Sequence, residues 1–331
     1  MTTIKPHHHL KNGKFRNPPG SPKRLSTRWE ALKFFTTFPF SNRMPKVPAE
    51  HALTNDEVHR QYNATASPCI TWVGHAAFII RLDNKVIITD PFVSDIAGPN
   101  NIGPKRFLPA AFSAINLPKA DIMAVSHNHY DHLDDIALRA YPYKKETLVI
   151  VPLGLKEFFT ERGFSKVIEQ DWWDETKVDG LTVTTLPAVH FSGRGLFDSN
   201  KTLWASFAFQ SEDKNVWFSG DTASGEVFNE IGKRHGPFDI AMIGIGAYEP
   251  RKFMRSVHAS PEDAIEIAKA IRTKKTIGMH WGAIMLTPED PFEPPTRFRQ
   301  AAIDLDYGEQ NALIMRVGDT LAKKQSDILI S

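Results

Sequence analysis

From about residue 67 onward, short runs rich in β-branched and other apolar residues alternate with polar turn signals. Cys69–Val73, Ala77–Leu82 and Val86–Thr89 read as three strands, the last two joined through Asp83, Asn84 and Lys85. The series continues with Ile122–Ser126, Leu148–Val151, Leu181–Leu186, Leu203–Gln210, Asn215–Ser219, Ile240–Ile245 and Thr276–Met279. Helices fall between several of these runs, most clearly at Pro261–Arg272. There Ser260 is a natural N-cap, Pro261 suits the first helical position, and Glu262 and Asp263 complement the positive end of the dipole. Ala264, Ile265, Ala268 and Ile271 supply its apolar stripe at helical spacing. Strands mixed with helices, and hairpins early on, predict an α/β layered body rather than an all-β sandwich.

The chain before that point has a different character. Residues 1–48 carry ten Lys and Arg, from Lys5 to Lys46, against the single acid Glu30. The remaining 30 basic and 37 acidic residues leave the body at −7 beneath an arm at +9. Seven of the 23 prolines also fall in the arm, with Trp29, Phe34, Phe35, Phe38 and Phe40. Residues 1–66 are therefore read as a basic, Pro/aromatic-rich extension and residues 67–331 as one domain. The arm either wraps the body and buries its aromatics there, or also lies on an anionic bilayer, where each basic residue contributes about 1 kcal/mol. The triplet His7–His9 receives no function. One cysteine, Cys69, cannot form an internal bridge and excludes cysteine-rich zinc sites. No apolar run reaches the roughly 18–20 residues that span a bilayer, and no secretory signal is recognisable at the N-terminus. The expectation is a cytoplasmic protein, peripheral at most to a membrane.

The chemistry is concentrated in Ser126-His127-Asn128-His129-Tyr130-Asp131-His132, directly after a predicted strand. Residues two apart in an extended segment point the same way, so His127 and His129 can grip one ion together. A turn into a helix start would swing Asp131 and His132 toward a second. Further donors follow other predicted strands: His190, then Asp221 in Ser219-Gly220-Asp221-Thr222, then His280. Ligands at the ends of several strands converge on one edge of an open sheet. The spacing suggests His127, His129 and His190 on one ion, Asp131, His132 and His280 on the other, and Asp221 between them. Gly220 and Ala223 are expected to leave room for the ion. Imidazole and carboxylate suit Zn²⁺, Mn²⁺ or Fe alike. Two such ions would acidify a shared water and favour hydrolysis, with phosphodiesters ahead of neutral esters.

These residues resemble the metallo-β-lactamase superfamily. Longer stretches (Trp72–Ala76, Gly103–Phe107, Ser126–Asp134, Val151–Leu155, Asp171–Trp173, Phe197–Lys201, Glu230–Asp239, Gly246–Arg251 and His280–Gly282) narrow the resemblance to the N-acyl-phosphatidylethanolamine-hydrolysing phospholipase D family. It covers roughly residues 67–295, with a weaker echo in Lys11–Pro18. The resemblance implies an αββα sandwich, two Zn²⁺ ions, and attack of a metal-held hydroxide on phosphorus to give phosphatidic acid and an N-acylethanolamine. It further implies a homodimer at a peripheral membrane surface, taking its phospholipid substrate through an apolar channel. Asp131 enters as a catalytic ligand. Tyr130 and His258 match residues near the metals, His258 to assist the leaving group or orient the phosphate. Val257 stands where animal relatives usually carry an amide side chain.

Two other readings compete: a hydrolase of the same scaffold for a water-soluble phosphodiester or sugar-phosphate lactone, and a non-catalytic lipid-binding protein with structural metal. A nucleic-acid partner is not expected, given the acidic body.

Overall fold

A computed structural model describes residues 6–25, 27, 29–30, 44–195 and 197–322. Two seven-stranded sheets dominate it. The first is built from β1 (Cys69–Gly74), β2 (Ala77–Leu82), β3 (Lys85–Thr89), β4 (Ile122–Ala124), β5 (Leu148–Pro152) and β6 (Lys166–Gln170). The second uses β7 (Glu175–Val178), β8 (Leu181–Leu186), β9 (Ser206–Gln210), β10 (Asn215–Phe218), β11 (Phe238–Gly244), β12 (Thr273–Met279) and β13 (Ala312–Leu313). The last strand, β14 (Thr320–Ala322), returns to the first sheet and pairs with β1. Both sheets are mixed: β1 to β3 and β7 to β10 run antiparallel, whereas β3 to β6 and β10 to β13 run parallel.

Side-chain alternation explains the layering. On β2, Phe78 and Ile80 join the core shared with Phe207, Phe209 and Trp217 of the second sheet. Ala77 and Ile79 point the other way, into a cluster with Val58, Leu138 and Phe159 from helices Asn55–Ala64, Asp135–Ala140 and Lys156–Thr160. A strand buried on both faces must be apolar at successive positions, which is why β1 is buried throughout. On the far side, helix Pro261–Ala270 packs on β11 and β12, flanked by helices Val227–Arg234 and Pro294–Asp304. The result is the expected αββα sandwich.

The predicted strands at Ala77–Leu82 and Leu181–Leu186 match the observed ones end for end. Ile122–Ser126 stops at Ala124, and Leu203–Gln210 begins only at Ser206. Leu203, Trp204 and Ala205 instead form a small core with Phe15 and Trp172, an attraction invisible along the chain. Strands β6, β7, β13 and β14 carry no clear pattern: β7 is a half-exposed polar edge, and β13 and β14 are two and three residues long.

Ser260 caps helix Pro261–Ala270 as its sequence suggests. Its Oγ accepts the Asp263 N–H at 3.2 Å, while Asp263 Oδ2 accepts the Ser260 N–H at 2.9 Å. Ser260→Ala is expected to lower unfolding stability by about 1 kcal/mol, read as a shifted urea midpoint at unchanged slope.

Residues 6–25 lie against the body. A short hairpin pairs His9 with Phe15, the Phe15 N–H donates to Asn200 O, and the Phe15 ring is buried. Trp29 is 72% exposed, against the expectation that the arm buries its aromatics, and Phe34, Phe35, Phe38 and Phe40 fall outside the described residues. Beyond the arm, Val58 is core and His51 Nε2 sits 2.7 Å from Gly282 O. No helix among the described residues is long and apolar enough to cross a membrane.

Candidate metal centre

Past the end of β4 the chain stays buried while it stops pairing, and this combination exposes His127, His129, Asp131 and His132 to one another rather than to solvent. Asp134 halts the excursion. It caps helix Asp135–Ala140 through the Ala137 N–H and accepts the backbone of Val93 and Ser94, so the loop is clamped at its far end. His190 follows β8, Asp221 follows β10, and His280 follows β12.

All seven predicted donors converge. His129 Nδ1 lies 2.8 Å from His127 Nε2 and 3.2 Å from His190 Nε2. Asp221 Oδ2 stands 3.8 Å from His127 Nε2 and 3.6 Å from His190 Nε2. The same carboxylate reaches the second group, with Oδ2 3.0 Å from His132 Nε2 and Oδ1 3.1 Å from His280 Nε2. Asp131 Oδ2 stands 3.5 Å from His132 Nε2 and 3.4 Å from His280 Nε2. Ligands held ~2.0–2.1 Å from one zinc in a tetrahedron are roughly 3.3 Å apart, so these spacings fit ions of that size. Asp221 touches both groups, as the proposed bridge must.

A further histidine completes the second group. His75 Nε2 lies 2.9 Å from Asp131 Oδ2, and the four donor atoms of His75, Asp131, His132 and His280 lie within 4.8 Å of one another. His75 sits in the turn between β1 and β2, after a strand like the other donors.

Three of the outward ring nitrogens are fixed by partners, whereas the buried Nδ1 atoms of His75 and His280 have none. His132 Nδ1–H donates to Asp90 Oδ2 at 2.6 Å, and His190 Nδ1–H donates to Val257 O at 2.7 Å. His127 Nδ1–H meets Ser126 Oγ at 2.9 Å, whose hydroxyl donates to Asp90 Oδ2 at 2.6 Å. Each bond leaves Nε2 as the free electron pair facing the cavity. Asp90, directly after β3, is the second residue that sequence reasoning missed. Gly220 serves a purpose other than the expected one. A Cβ there would meet the Ser126 side chain at 2.5 Å, and its φ of +55° suits glycine, so its smallness admits the Ser126 loop rather than an ion.

Among the buried atoms without an aligned hydrogen-bond partner, His132 Nε2, His280 Nε2 and Asp221 Oδ1 face the space between the donors. Buried polar atoms rarely stay unsatisfied, and cations would satisfy these. The electrostatics agree. Burial alone would raise both carboxyls, yet the His132 charge holds Asp131 and Asp221 well below their ordinary range. Burial opposes protonation of His280, but Asp221 and Asp131 outweigh it and raise His280 to about 9. Burial lowers His75 and His129 to about 3 and His190 to about 4, leaving them neutral as metal binding requires.

The remaining predicted residues differ. His258 faces the centre, its Nδ1 4.0 Å from Asp221 Oδ2. Tyr130 lines the same cavity, but its hydroxyl is turned away and donates to Arg194 O at 3.1 Å, while the Arg194 guanidinium lies 3.8 Å over its ring. The cavity above the donors is about 250 Å³, with Phe191, Met254, Val257, Met285 and Leu286 among its walls.

Asp90→Asn replaces an acceptor of three donors with a mixed amide. It is expected to weaken zinc affinity about 10–100-fold in chelator competition, with an unchanged far-UV spectrum. Affinity within twofold of the parent would remove Asp90 from the design of the site.

Residues 85–281 match the Beta-lactamase superfamily domain. The chain is 38% identical over 263 residues to the N-acyl-phosphatidylethanolamine-hydrolyzing phospholipase D 1 of Caenorhabditis elegans, covering 76% of this chain and 73% of that protein. It is 34% identical over 239 residues to the mitochondrial enzyme of the same description from Saccharomyces cerevisiae, covering 70% of this chain and 51% of that protein. The chain thus spans only about half the length of the yeast relative. The crystal structure of a possible metal-dependent hydrolase from Veillonella parvula shares the fold at a TM-score of 0.63 and 18% identity, covering 77% of this chain and 99% of that one.

Proposed function

Because this chain belongs to the N-acyl-phosphatidylethanolamine-hydrolysing phospholipase D family of the metallo-β-lactamase superfamily, we propose that it is a zinc-dependent phosphodiesterase of the phospholipase D type. Its substrates on this reading are N-acylated phosphatidylethanolamines, and its products are phosphatidic acid and N-acylethanolamines. One observation carries it: two His/Asp groups share the Asp221 carboxylate on the floor of a cavity with mainly carbon walls.

His127, His129, His190 and Asp221 would hold one ion, and His75, Asp131, His132 and His280 the other, with Asp221 reaching both. Such a pair of cations acidifies a water and offsets charge on the phosphoryl oxygens. The protein's own contribution is placement. Asp90 and Val257 O orient the ring nitrogens, and His258 presents its imidazole beside Asp221, where it can orient a phosphoryl oxygen. Phe191, Met254, Val257 and Leu286 exclude water around the ester and accept methylene groups.

The reading extends to a peripheral membrane surface. Ile102 and Phe197, 74% and 84% exposed, belong to loops whose neighbours Pro104 and Phe191 line the cavity. Exposed apolar side chains of this kind fit a bilayer, and the basic arm adds attraction to anionic lipid. A homodimer belongs to the same reading on the family resemblance. One observation favours the water-soluble alternative: about 250 Å³ holds a head group and the first few methylenes, not a whole lipid.

The test is lipid mass spectrometry after incubating zinc-loaded protein with a mixed phospholipid extract. The expected result is joint accumulation of phosphatidic acid and N-acylethanolamine. Turnover of bis(p-nitrophenyl) phosphate with no change in any lipid would favour the alternative instead.

A further inference from the structure

Two adjacent histidines in the N-terminal arm do what adjacent residues in an extended chain cannot: both rings reach one carboxylate. A turn makes this possible, with the His9 N–H donating to Pro6 O at 3.0 Å. His8 Nε2 then lies 2.6 Å from Asp171 Oδ1, and His9 Nε2 lies 2.6 Å from Asp171 Oδ2, across more than 160 residues of chain. The rings are set by packing. His8 stacks on Trp172 with centroids 4.1 Å apart, and His9 meets Phe15 edge-on at 5.2 Å. Asp171 is braced as well, its Oδ1 accepting the Trp172 N–H at 2.8 Å and its own N–H donating to Asp174 Oδ2 at 2.8 Å.

We propose that His8, His9 and Asp171 form a separate metal site, for one zinc-like divalent cation, that clasps the N-terminal hairpin to the body. Two imidazoles and a carboxylate are a familiar zinc donor set, with a fourth position left for water. The three donor atoms lie within 4.8 Å of one another. A cavity of about 460 Å³, lined by His7, His8, Trp172, Pro18 and Glu226, adjoins the cluster on the His8 side. Zinc would set the donors roughly 3.3 Å apart. The 2.6 Å contacts therefore widen by less than an ångström, which the partly exposed His9 and Asp171 allow. His7, next in the triplet, is exposed and contributes no ring to the cluster.

The clasp has a target. The same arm carries Asn17, whose Oδ1 accepts the His190 N–H at 2.9 Å and the Trp204 Nε1–H at 3.0 Å. Fastening the hairpin holds that contact behind a donor of the main centre.

The full-length protein and zinc alone suffice for the test. After zinc loading and desalting, metal content is measured for the parent, His8→Gln/His9→Gln, Asp171→Asn and His7→Ala. The expected result is one equivalent fewer in the first two variants and no change in His7→Ala. Because the clasp also braces His190, anomalous scattering from parent and variant crystals assigns the missing equivalent: lost at His8, His9 and Asp171 it supports the site, lost at the main centre alone it overturns it. Equal content in parent and variants would overturn the site, as would a loss that follows His7 instead, the mark of an exposed triplet binding on its own. Should the variants fail to fold, anomalous scattering at the zinc edge from parent crystals decides: a peak bonded to His8, His9 and Asp171 supports the site, and no peak there overturns it.

Discussion

Asp221→Asn is expected to lower turnover by far more than the ~100-fold that marks loss of an outer partner, while the protein still folds. The carboxylate is the one group that reaches both donor sets, with oxygens 3.0 Å from His132 Nε2 and 3.1 Å from His280 Nε2. An amide of the same shape keeps the volume but loses the charge and one acceptor, so it serves neither set fully. Folding should survive, because Asp221 Oδ1 makes no hydrogen bond that packing depends on. Asp131→Asn gives the internal comparison. It removes a donor from the second group only, so one equivalent of metal should be lost rather than two, again with severe loss of turnover. Paired measurements of kcat/KM and metal content on both variants check this. Parent-level activity in Asp221→Asn would end its role as the shared ligand.

Stripping metal with a chelator is expected to abolish turnover and destabilise the fold together. A cation at 100 times its Kd stabilises the folded state by about 2.7 kcal/mol. With about 2.1 cal/mol/K of unfolding entropy per residue, a chain of 331 residues should lose roughly 4 °C of Tm for each such cation removed. Added Zn²⁺ should restore both, and Mn²⁺ or Fe²⁺ tested in parallel identifies the working ion. The effect has a definite pH sense. In the metal-free protein the Asp221 and Asp131 carboxylates hold His280 protonated up to about 9 and raise His132 well above its ordinary value. Those protons must leave before either Nε2 can bind a cation, so apparent affinity should climb as pH rises toward 9 and fall in acid. Isothermal titration at pH 6, 7 and 8 measures the slope. An affinity flat across that range would mean that the ions bind elsewhere.

Much of the main centre was legible because its donors obey a local rule. His127, His190, Asp221 and His280 each follow a run whose apolar pattern marks a strand, and strand ends meet at a sheet edge wherever the strands are assembled. His75 and Asp90 obey the same rule but carry a weaker signal, since a histidine in a tight turn and an aspartate after Thr89 also read as ordinary turn residues. Tyr130 is a partial case. The family resemblance places it near the metals, and it does line the cavity, but an arginine 64 residues away covers the ring and its carbonyl takes the hydroxyl, a contact that no local pattern shows. The arm was harder still, because its histidines become a cluster only beside Asp171.

The sequence by itself determined the periodicities that make two-faced strands, the cap of helix Pro261–Ala270, the asymmetry of charge, and which side chains could bind metal. Each depends on neighbours within a few residues, where bond geometry and propensity act directly. Only the tertiary structure decided which atoms meet: the sharing of Asp221 between two groups, the orientation of each imidazole by Asp90 or a backbone carbonyl, and the docking of His8 and His9 on Asp171. Those are contacts between segments tens to more than a hundred residues apart, and their distances come from how two buried sheets pack rather than from any local preference of the chain.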